Sequence, residues 1–306
     1  MRKIWFVGAV LAAALAACDR TDVADDSQRC LAAQEAEAKI AACTAAAQNE
    51  SLAPQQRSVA YSTRGEAQED TGNVTAALRD YGSAIDLYSE NPIAFLGRGR
   101  ILLASGQLDA AEPAARRAIE LSQAGEAYLI LGQIQVRRGE FSEAISSFNA
   151  ALDHEPRSAI ALAGRARAKQ RLNDLEGAAN DYDQAIRTDG ILAEARAGRC
   201  WLDLNEKREF DRARQDADAA VAADPRNVEG QLCRGVLQLR EGQWADAKAS
   251  FEAALVVESG NPIALFGRGV ARRRSGDNAG TEDMNQARDF DGHIGEQFDD
   301  FGVRTY

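Results

Sequence analysis

The chain has 306 residues, a formal net charge of −11 at pH 7 and a sequence pI of about 4.9. Only 6% of its residues are aromatic, and the abundant residues are the helix formers Ala, Leu, Arg, Glu and Gln, so the composition favours helices. Binding to nucleic acid needs a basic face, and this acidic balance argues against a nucleic-acid partner.

The first residues have the pattern of a secretion signal. Arg2 and Lys3 form a positively charged start, and an uninterrupted run of apolar or small residues follows from Ile4 to Ala14. A run of this length is too short to span a bilayer, so a cleaved signal fits it better than a membrane anchor does. We therefore predict a signal peptide over residues 1–17.

The tetrapeptide that ends this region, Leu15–Cys18, resembles the lipobox of bacterial lipoproteins. The resemblance implies that Cys18 is lipidated, that residues 18–26 are an acidic tether, and that the lipid is the only contact with the membrane. A soluble secreted protein that is cleaved nearby is the alternative. Asp19 resembles the inner-membrane retention signal of enteric bacteria, but that rule transfers poorly between lineages, so the choice of membrane stays open.

Four further cysteines follow, an even number in a chain predicted to be exported, which suggests disulfides. The economical pairs are Cys30 with Cys43 and Cys200 with Cys233. An unbroken helix would separate Cys30 from Cys43 by about 20 Å. Because a disulfide needs Cα atoms about 4.4–6.8 Å apart, that pair requires a turn within Leu31–Ile40. For Cys200 and Cys233 the alternative is two buried free thiols.

From residue 58 onward the chain repeats itself. A small residue recurs in steps of 33 to 35 residues, at Gly65, Gly99, Gly132, Ala166, Cys200, Gly235 and Gly269. A second series of small residues runs in phase with the first, at Ala84, Ala118, Ala151, Ala185, Ala220, Ala254 and Ala287. A period of this size is the signature of a solenoid, which grows by stacking repeats rather than by enlarging one core.

Each repeat is predicted to be two amphipathic helices joined by a short turn. In the third repeat the helices are Gly125–Arg138 and Phe141–His154, and Pro156 closes the unit. Small residues let the two helices approach closely, and an aromatic residue, Phe148 in this repeat, fills the space beyond them. Residues that tolerate the left-handed conformation mark the turns. These residues are Gly72, Gly106, Gly139, Asn173, Gly242 and Gly276.

This spacing of small, aromatic, small and Pro residues resembles the tetratricopeptide repeat. The resemblance extends from Ser58 to Asp291 and implies an all-α fold, an α-solenoid of about seven helix-turn-helix repeats that forms a right-handed superhelix. The repeats are predicted near residues 58–91, 92–124, 125–158, 159–192, 193–227, 228–261 and 262–291. Residues 27–57 are predicted to be an N-terminal capping helix or half-repeat, and residues 292–306 a C-terminal cap and tail.

Arginine precedes the small residue in six repeats, and aspartate lies at a matching depth in four of the second helices. The arginines are Arg64, Arg98, Arg165, Arg199, Arg234 and Arg268, and the aspartates are Asp80, Asp181, Asp216 and Asp283. We predict Arg–Asp pairs that join the helices, since the guanidinium fork suits a carboxylate in a bidentate contact. The functional alternative is an arginine ladder that holds an anionic ligand.

No residue pattern points to catalysis. The chain has two histidines, His154 and His293, and lacks the spaced His or Cys pairs that hold a metal. Its glycines recur at helix turns rather than between a strand and a helix, so no phosphate-binding loop is implied. We therefore predict a protein that is not an enzyme and that needs no cofactor or metal.

In tetratricopeptide arrays the first helices line the concave surface, so the resemblance implies that their inward positions form a binding groove. The candidate groove residues are Arg100, Leu129, Gln133, Arg137, Arg167, Arg171, Trp201, Val236, Arg240, Arg273 and Arg274. Trp and Arg are enriched where partners contribute most binding energy. This lining predicts a protein or peptide partner with some negative charge. The alternative is that many of these residues are ordinary edges of helix packing.

These observations together predict a non-enzymatic scaffold or adaptor in the bacterial cell envelope, anchored by lipid, facing the periplasm and holding a partner in its groove. The alternative is an architectural envelope protein that associates with itself through another face. Three phrases, Ile40–Cys43, Ile263–Gly269 and Glu296–Phe298, resemble uncharacterised periplasmic repeat proteins of alphaproteobacteria.

Overall fold

The computed structural model describes residues 26–304. The predicted signal peptide, the predicted lipidation site Cys18 and all of the tether but its last residue lie outside the described residues, as do the last two residues of the chain. Within the described part every regular element is a helix, so the prediction of an all-α fold is confirmed. None of the helices in that part is long and apolar enough to cross a bilayer.

Of the described residues, 26–134 form one compact unit and 135–304 form a second. Helix α1 covers residues 26–32 and is followed by α2 (Ala36–Gln48), α3 (Pro54–Asp70), α4 (Val74–Leu87), α5 (Pro92–Ala104) and α6 (Leu108–Ser122). The boundary between the units falls within α7 (Gly125–Arg138). The chain continues with α8 (Phe141–His154), α9 (Ala159–Arg171), α10 (Leu175–Thr188), α11 (Ala193–Asn205), α12 (Phe210–Ala223), α13 (Val228–Arg240), α14 (Trp244–Val257), α15 (Pro262–Arg274), α16 (Gly280–Phe290) and α17 (Ile294–Asp300).

Left-handed residues follow the first helix in six repeats, as predicted, and in the fifth repeat Lys207 and Glu209 take this conformation. At the six predicted turn positions φ lies between 65° and 86°. The turn at Gly106 shows the hydrogen bonds of a Schellman motif. Its N–H donates to the carbonyl of Leu103 over 3.0 Å, and the N–H of Gln107 donates to that of Leu102 over 2.9 Å. The two helices of the third repeat begin and end at the predicted residues.

A buried aromatic ring packs between one repeat and the next in four places. The rings belong to Tyr81, Phe148, Tyr182 and Phe251, each at most 2% exposed. Each ring lies against a glycine in the first helix of the following repeat, at Gly97, Gly164, Gly198 and Gly267. A Cβ atom at Gly97 would overlap the Tyr81 ring. The close approach of ring and backbone therefore requires glycine at this position.

Of the six junctions between consecutive repeats, two lack the ring and fill its place differently. In the second repeat the ring position holds Ala115 and the facing glycine position holds Leu131, and both residues lie in one buried cluster. In the fifth repeat Ala217 takes the ring position, while Cys200 and Cys233 take the two small-residue positions on either side of it. These two cysteines form a disulfide with Cα atoms 6.5 Å apart. The disulfide thus occupies the place that a ring has in other repeats.

Another disulfide joins α1 to α2. A break in the helix at residues 33–35 turns the chain inside Leu31–Ile40, where this pair needs a turn. The break brings the Cα atoms of Cys30 and Cys43 to 4.4 Å from each other. Both cysteines are buried in a cluster with Leu52 and Ala60, so the bridge closes the core at the beginning of the first repeat.

Four of the predicted Arg–Asp pairs are present, each inside one repeat. Arg64 Nε and Nη2 donate to the two carboxylate oxygens of Asp80 over 2.6 and 2.7 Å, and this contact raises the pKa of Arg64. The same bidentate contact joins Arg165 to Asp181, Arg199 to Asp216, and Arg268 to Asp283. Arg234 donates to the Ser250 hydroxyl instead, over 3.1 Å. Since buried carboxylates of the chain itself satisfy the four paired arginines, the alternative of a ligand-holding ladder is wrong for them.

Candidate functional site

In the first unit, carboxylates of the chain itself engage the predicted groove residue Arg100. Its Nε and Nη2 donate to Glu69 over 3.0 and 2.8 Å, and its Nη1 donates to Glu126 over 2.5 Å. These carboxylates, Glu69 first, raise the pKa of Arg100. The Tyr81 hydroxyl also donates to Glu69 over 2.5 Å, and burial raises the pKa of Tyr81. Arg100 therefore completes an internal network rather than presenting a free cation to a partner.

In the second unit, three of the predicted groove arginines lie over aromatic rings of the preceding repeat. Arg171 lies over Phe141, Arg240 over Phe210 and Arg274 over Trp244, with 5.0, 4.0 and 5.9 Å between the guanidinium carbon and the ring centre. Cation–π contacts form at such distances. Because each arginine ends the first helix of one repeat and each ring begins the second helix of the repeat before, the contacts join neighbouring repeats.

The remaining predicted groove residues divide between core and surface. Val236 is fully buried in the main cluster of the second unit, so it is a core residue and not part of a groove. Arg167 is exposed and pairs with Glu229 over 2.8 Å. The half-buried positions are Leu129 and Gln133, and the exposed ones are Arg137 and Arg273. The predicted residues therefore do not form one continuous lining.

A cleft of about 540 Å³ opens between α11, α13, α15 and α17 of the second unit, and we call it the inner cleft. Trp201, Glu229 and Ile263 line it from the repeats. Gln297, Asp300 and Phe301 line it from the end of the described chain. The indole Nε1 of Trp201 donates to the carbonyl of Glu229 over 3.1 Å, which fixes the orientation of the ring.

Two phenylalanines of residues 294–304, which we call the α17 segment, pack against the repeats. Phe298 is fully buried, and its ring centre is 4.9 Å from that of Phe266. The ring centre of Phe301 is 5.6 Å from that of Trp201 and 5.9 Å from that of Phe298. Aromatic pairs at these separations attract each other beyond the area that they bury. The rings therefore anchor the segment to α11 and α15.

Arginines of the first helices hold the main chain of the α17 segment. Arg240 Nη1 donates to the carbonyl of Phe301, and Arg274 Nη2 donates to that of Arg304 over 2.8 Å. Gly302 has φ of 76°, and a Cβ atom there would press on the guanidinium of Arg240. Trp201, Arg240 and Arg274, three of the predicted groove residues, thus contact a peptide segment, and that segment belongs to the chain itself.

Arg240 differs from the other inner arginines in its electrostatics. Burial lowers its pKa, whereas carboxylates raise the pKa of Arg100. Its acceptor is a neutral carbonyl, and no carboxylate among residues 26–304 forms an ion pair with it. A half-buried guanidinium whose partners are a ring and a neutral carbonyl favours the approach of a negative group.

Two aromatic rings, one aliphatic side chain, one lysine, two carboxylates and two amides line the inner cleft, and this lining suits binding rather than proton transfer. No group of three or more His, Cys, Asp and Glu side chains within residues 26–304 is arranged to hold a metal ion. His293 is exposed, with its Nδ1 3.2 Å from a carboxylate oxygen of Glu296. His154 is the last residue of α8, where a cation suits the helix dipole.

The contacts of Phe298 and Phe301 with the repeats do not follow from the sequence, which predicts only a cap and tail over residues 292–306. Nothing in the repeat pattern assigns Phe298 and Phe301 to the inner side of α11, α13 and α15. The available signal is a pair of aromatic residues three positions apart in an otherwise polar stretch.

Comparison with known proteins supports one family and one fold. The tetratricopeptide repeat family model matches residues 62–128, 129–194 and 234–280. The Small glutamine-rich tetratricopeptide repeat-containing protein 2 of Mycosarcoma maydis is 28% identical over 135 residues. That match covers 44% of this chain and spans only 38% of the length of the curated relative.

Two solved structures share the fold. The APC/C hetero-tetramer Cut9–Hcn1 matches with a TM-score of 0.64 and 14% identity, over 76% of this chain and 48% of the other. A tetratricopeptide repeat protein from Parabacteroides merdae matches with a TM-score of 0.55 and 18% identity, over 80% of this chain and 98% of the other.

Proposed function

Because the chain belongs to the tetratricopeptide repeat family, we propose that it is a scaffold that holds a segment of a partner protein in the inner cleft. Proteins of this family generally mediate protein–protein interactions and are typically not enzymes. The observation that carries the proposal is the contact of Trp201, Arg240 and Arg274 with a peptide segment, through one ring and two main-chain hydrogen bonds.

The chemistry of the inner cleft suits a protein partner. Trp and Arg are the residues at which partners most often concentrate their binding energy. Here Trp201 faces the cavity beside the aliphatic Ile263, and Arg240 and Arg274 hold the segment that forms one wall of it. The cleft combines apolar side chains with polar ones, and apolar walls with placed polar groups are usual in binding sites. The Cut9–Hcn1 assembly, which shares the fold, is itself a complex of two proteins.

We further propose that the scaffold lies in a bacterial cell envelope, anchored by lipid on Cys18 and facing the periplasm. The charged start, the short apolar run and the Leu-Ala-Ala-Cys sequence support this location. The two disulfides support it as well, because disulfides persist in oxidising compartments outside the cytosol. Residues 18–26 would then connect the lipid to the helices, and the repeats would occupy residues 58–291.

Crosslinked affinity capture from the native envelope tests the binding proposal with a matched pair of variants. Ile263→Arg puts a bulky cation into the inner cleft, whereas Val256→Arg puts the same side chain on α14, where the wild-type residue is 86% exposed. We expect mass spectrometry to identify a partner with the wild-type chain and with Val256→Arg. The recovery of that partner should fall at least tenfold with Ile263→Arg.

Two outcomes would contradict the proposal. Equal recovery of the partner by both variants would move the binding surface away from the inner cleft. Recovery of copies of the chain alone, from all three chains, would favour an architectural protein that associates with itself.

A further inference from the structure

The α17 segment has a distinctive chemistry at the place where it meets the repeats. Phe298 and Phe301 are three positions apart, and Asp299 and Asp300 lie between them. The cations near the segment come from the repeats, at Lys207, Arg240 and Arg274. Lys207 Nζ lies 3.8 Å from a carboxylate oxygen of Asp300, whereas Arg240 and Arg274 donate to main-chain carbonyls of the segment. The repeats thus place three cations next to a segment that carries two adjacent aspartates.

The two phenylalanines differ in how deeply they are buried. Phe298 is fully buried against Phe266, whereas Phe301 retains 9% exposure and forms part of the wall of the inner cleft. Asp300 is 80% exposed and lies 3.8 Å from Lys207 Nζ, a distance and exposure at which an ion pair stabilises little. Main-chain hydrogen bonds join residues 301–303 to α17, whereas one ring, the buried Val303 and two arginine-to-carbonyl hydrogen bonds hold residues 301–304 against the repeats.

We propose that the inner cleft binds protein segments with an aromatic side chain next to carboxylates, and that residues 301–304 are an intramolecular occupant that such a segment displaces. This proposal rests on the proposed function. It adds the chemistry of the partner segment, and it names residues 301–304 as the part of the chain that competes with the partner for the site.

The state of Arg240 explains how a partner can win this competition. The guanidinium is half-buried, lies over the Phe210 ring and donates a hydrogen bond to the neutral carbonyl of Phe301, and no carboxylate among residues 26–304 pairs with it. A partner carboxylate at that place would accept a charge-assisted hydrogen bond, which is roughly twice as strong as one to a neutral acceptor. Residues 301–304 are attached to the site that they occupy, so their effective concentration there is on the order of millimolar. A partner that lacked the charge-assisted hydrogen bond would therefore compete poorly with them.

Peptide binding to the full-length chain tests the proposal directly. The probe is a fluorescein-labelled peptide of residues 294–304, and its affinity is measured by anisotropy. Phe301→Ala removes the ring of the occupant and should raise the affinity of the chain for the peptide at least tenfold over wild type. Val303→Ser loosens the same residues at another contact and should act in the same direction. Phe290→Ala, at an aromatic residue that is 62% exposed and lies outside the cleft, should leave the affinity unchanged.

Changes on the side of the repeats should have the opposite sign. Adding Trp201→Ala to the Phe301→Ala chain should lower the affinity for the peptide at least tenfold, because the Phe301 ring of the peptide then loses the indole that it packs against. A peptide with Asn in place of Asp299 and Asp300 should bind the Phe301→Ala chain about fivefold more weakly at low salt. Circular dichroism of each chain serves as the control for folding.

Three results would overturn the proposal. One is that Phe301→Ala and Val303→Ser, both folded, bind the peptide no more tightly than wild type. Another is that Phe290→Ala binds as tightly as they do. The third is a wild-type dimer in light scattering that becomes a monomer with Phe301→Ala, which would assign the contact to exchange of the segment between two copies. The capture experiment with Ile263→Arg is scored separately, so the proposed function stands or falls apart from these results.

Discussion

Asp181 illustrates why a buried carboxylate is indispensable to its own repeat. It is 2% exposed and accepts hydrogen bonds from Arg165 over 2.8 and 2.7 Å, while Lys169 Nζ lies 2.8 Å from the same carboxylate. Removing the carboxylate alone would leave two partly buried cations side by side. Breaking a buried pair from one side is far more costly than losing a surface ion pair.

We expect Asp181→Ala to lower the free energy of unfolding by about 3–5 kcal/mol, measured by urea unfolding followed by circular dichroism. The matched control is Asp218→Ala, at an exposed aspartate of α12, which should change stability by less than about 0.5 kcal/mol. A loss below about 1 kcal/mol for Asp181→Ala would mean that the Arg–Asp pairs do not hold the helices together.

At the scale of helices, one contact between repeats takes two chemical forms. Tyr81, for example, places its ring between Gly65 and Gly97. In the fifth repeat the small Ala217 takes the place of the ring, and the two facing small residues are Cys200 and Cys233, which form a disulfide. Both solutions fill the same space between consecutive first helices. The disulfide therefore replaces the packing of a ring in addition to linking the chain covalently.

A ring should be able to replace the disulfide. We expect the triple variant Cys200→Gly, Ala217→Phe, Cys233→Gly to unfold within about 2 kcal/mol of the wild-type chain, because it restores the ring between two glycines. Cys200→Gly with Cys233→Gly alone should lose about 4 kcal/mol or more, since it removes the bridge and leaves a cavity. Urea unfolding of the three chains measures the difference. A triple variant no more stable than the double variant would contradict the equivalence.

At the scale of the molecule, the period predicts helices better than it predicts the site. The bounds Gly125–Arg138 and Phe141–His154 follow from the repeat pattern because local spacing determines which residues turn and which pack. The ion pair that Arg100 forms does not follow from the pattern, since its partner Glu69 lies 31 positions away on another repeat. Nor does the α17 segment, because it has no counterpart elsewhere in the array from which a pattern could be read.

The proposed location can be tested on the whole molecule in a bacterial host. We expect the wild-type chain to incorporate labelled palmitate and to sediment with membranes, and Cys18→Ser to lose both properties, because the lipid would be the only anchor. The double variant Cys30→Ser, Cys43→Ser should keep the label, since these residues form a disulfide instead. A wild-type chain without label in the soluble fraction would indicate a secreted protein without lipid.

Leu131 faces Ala115, whereas Gly97 faces the ring of Tyr81, so the repeats of this chain are not interchangeable. Excision of the second repeat during recombination would bring Leu131 to the position that Gly97 now holds. The leucine side chain would then overlap the ring of Tyr81. An array of this kind can gain or lose units only where both new neighbours match in size. The order of its repeats is thus heritable information in its own right, which shuffling of gene segments would erase even if every helix survived.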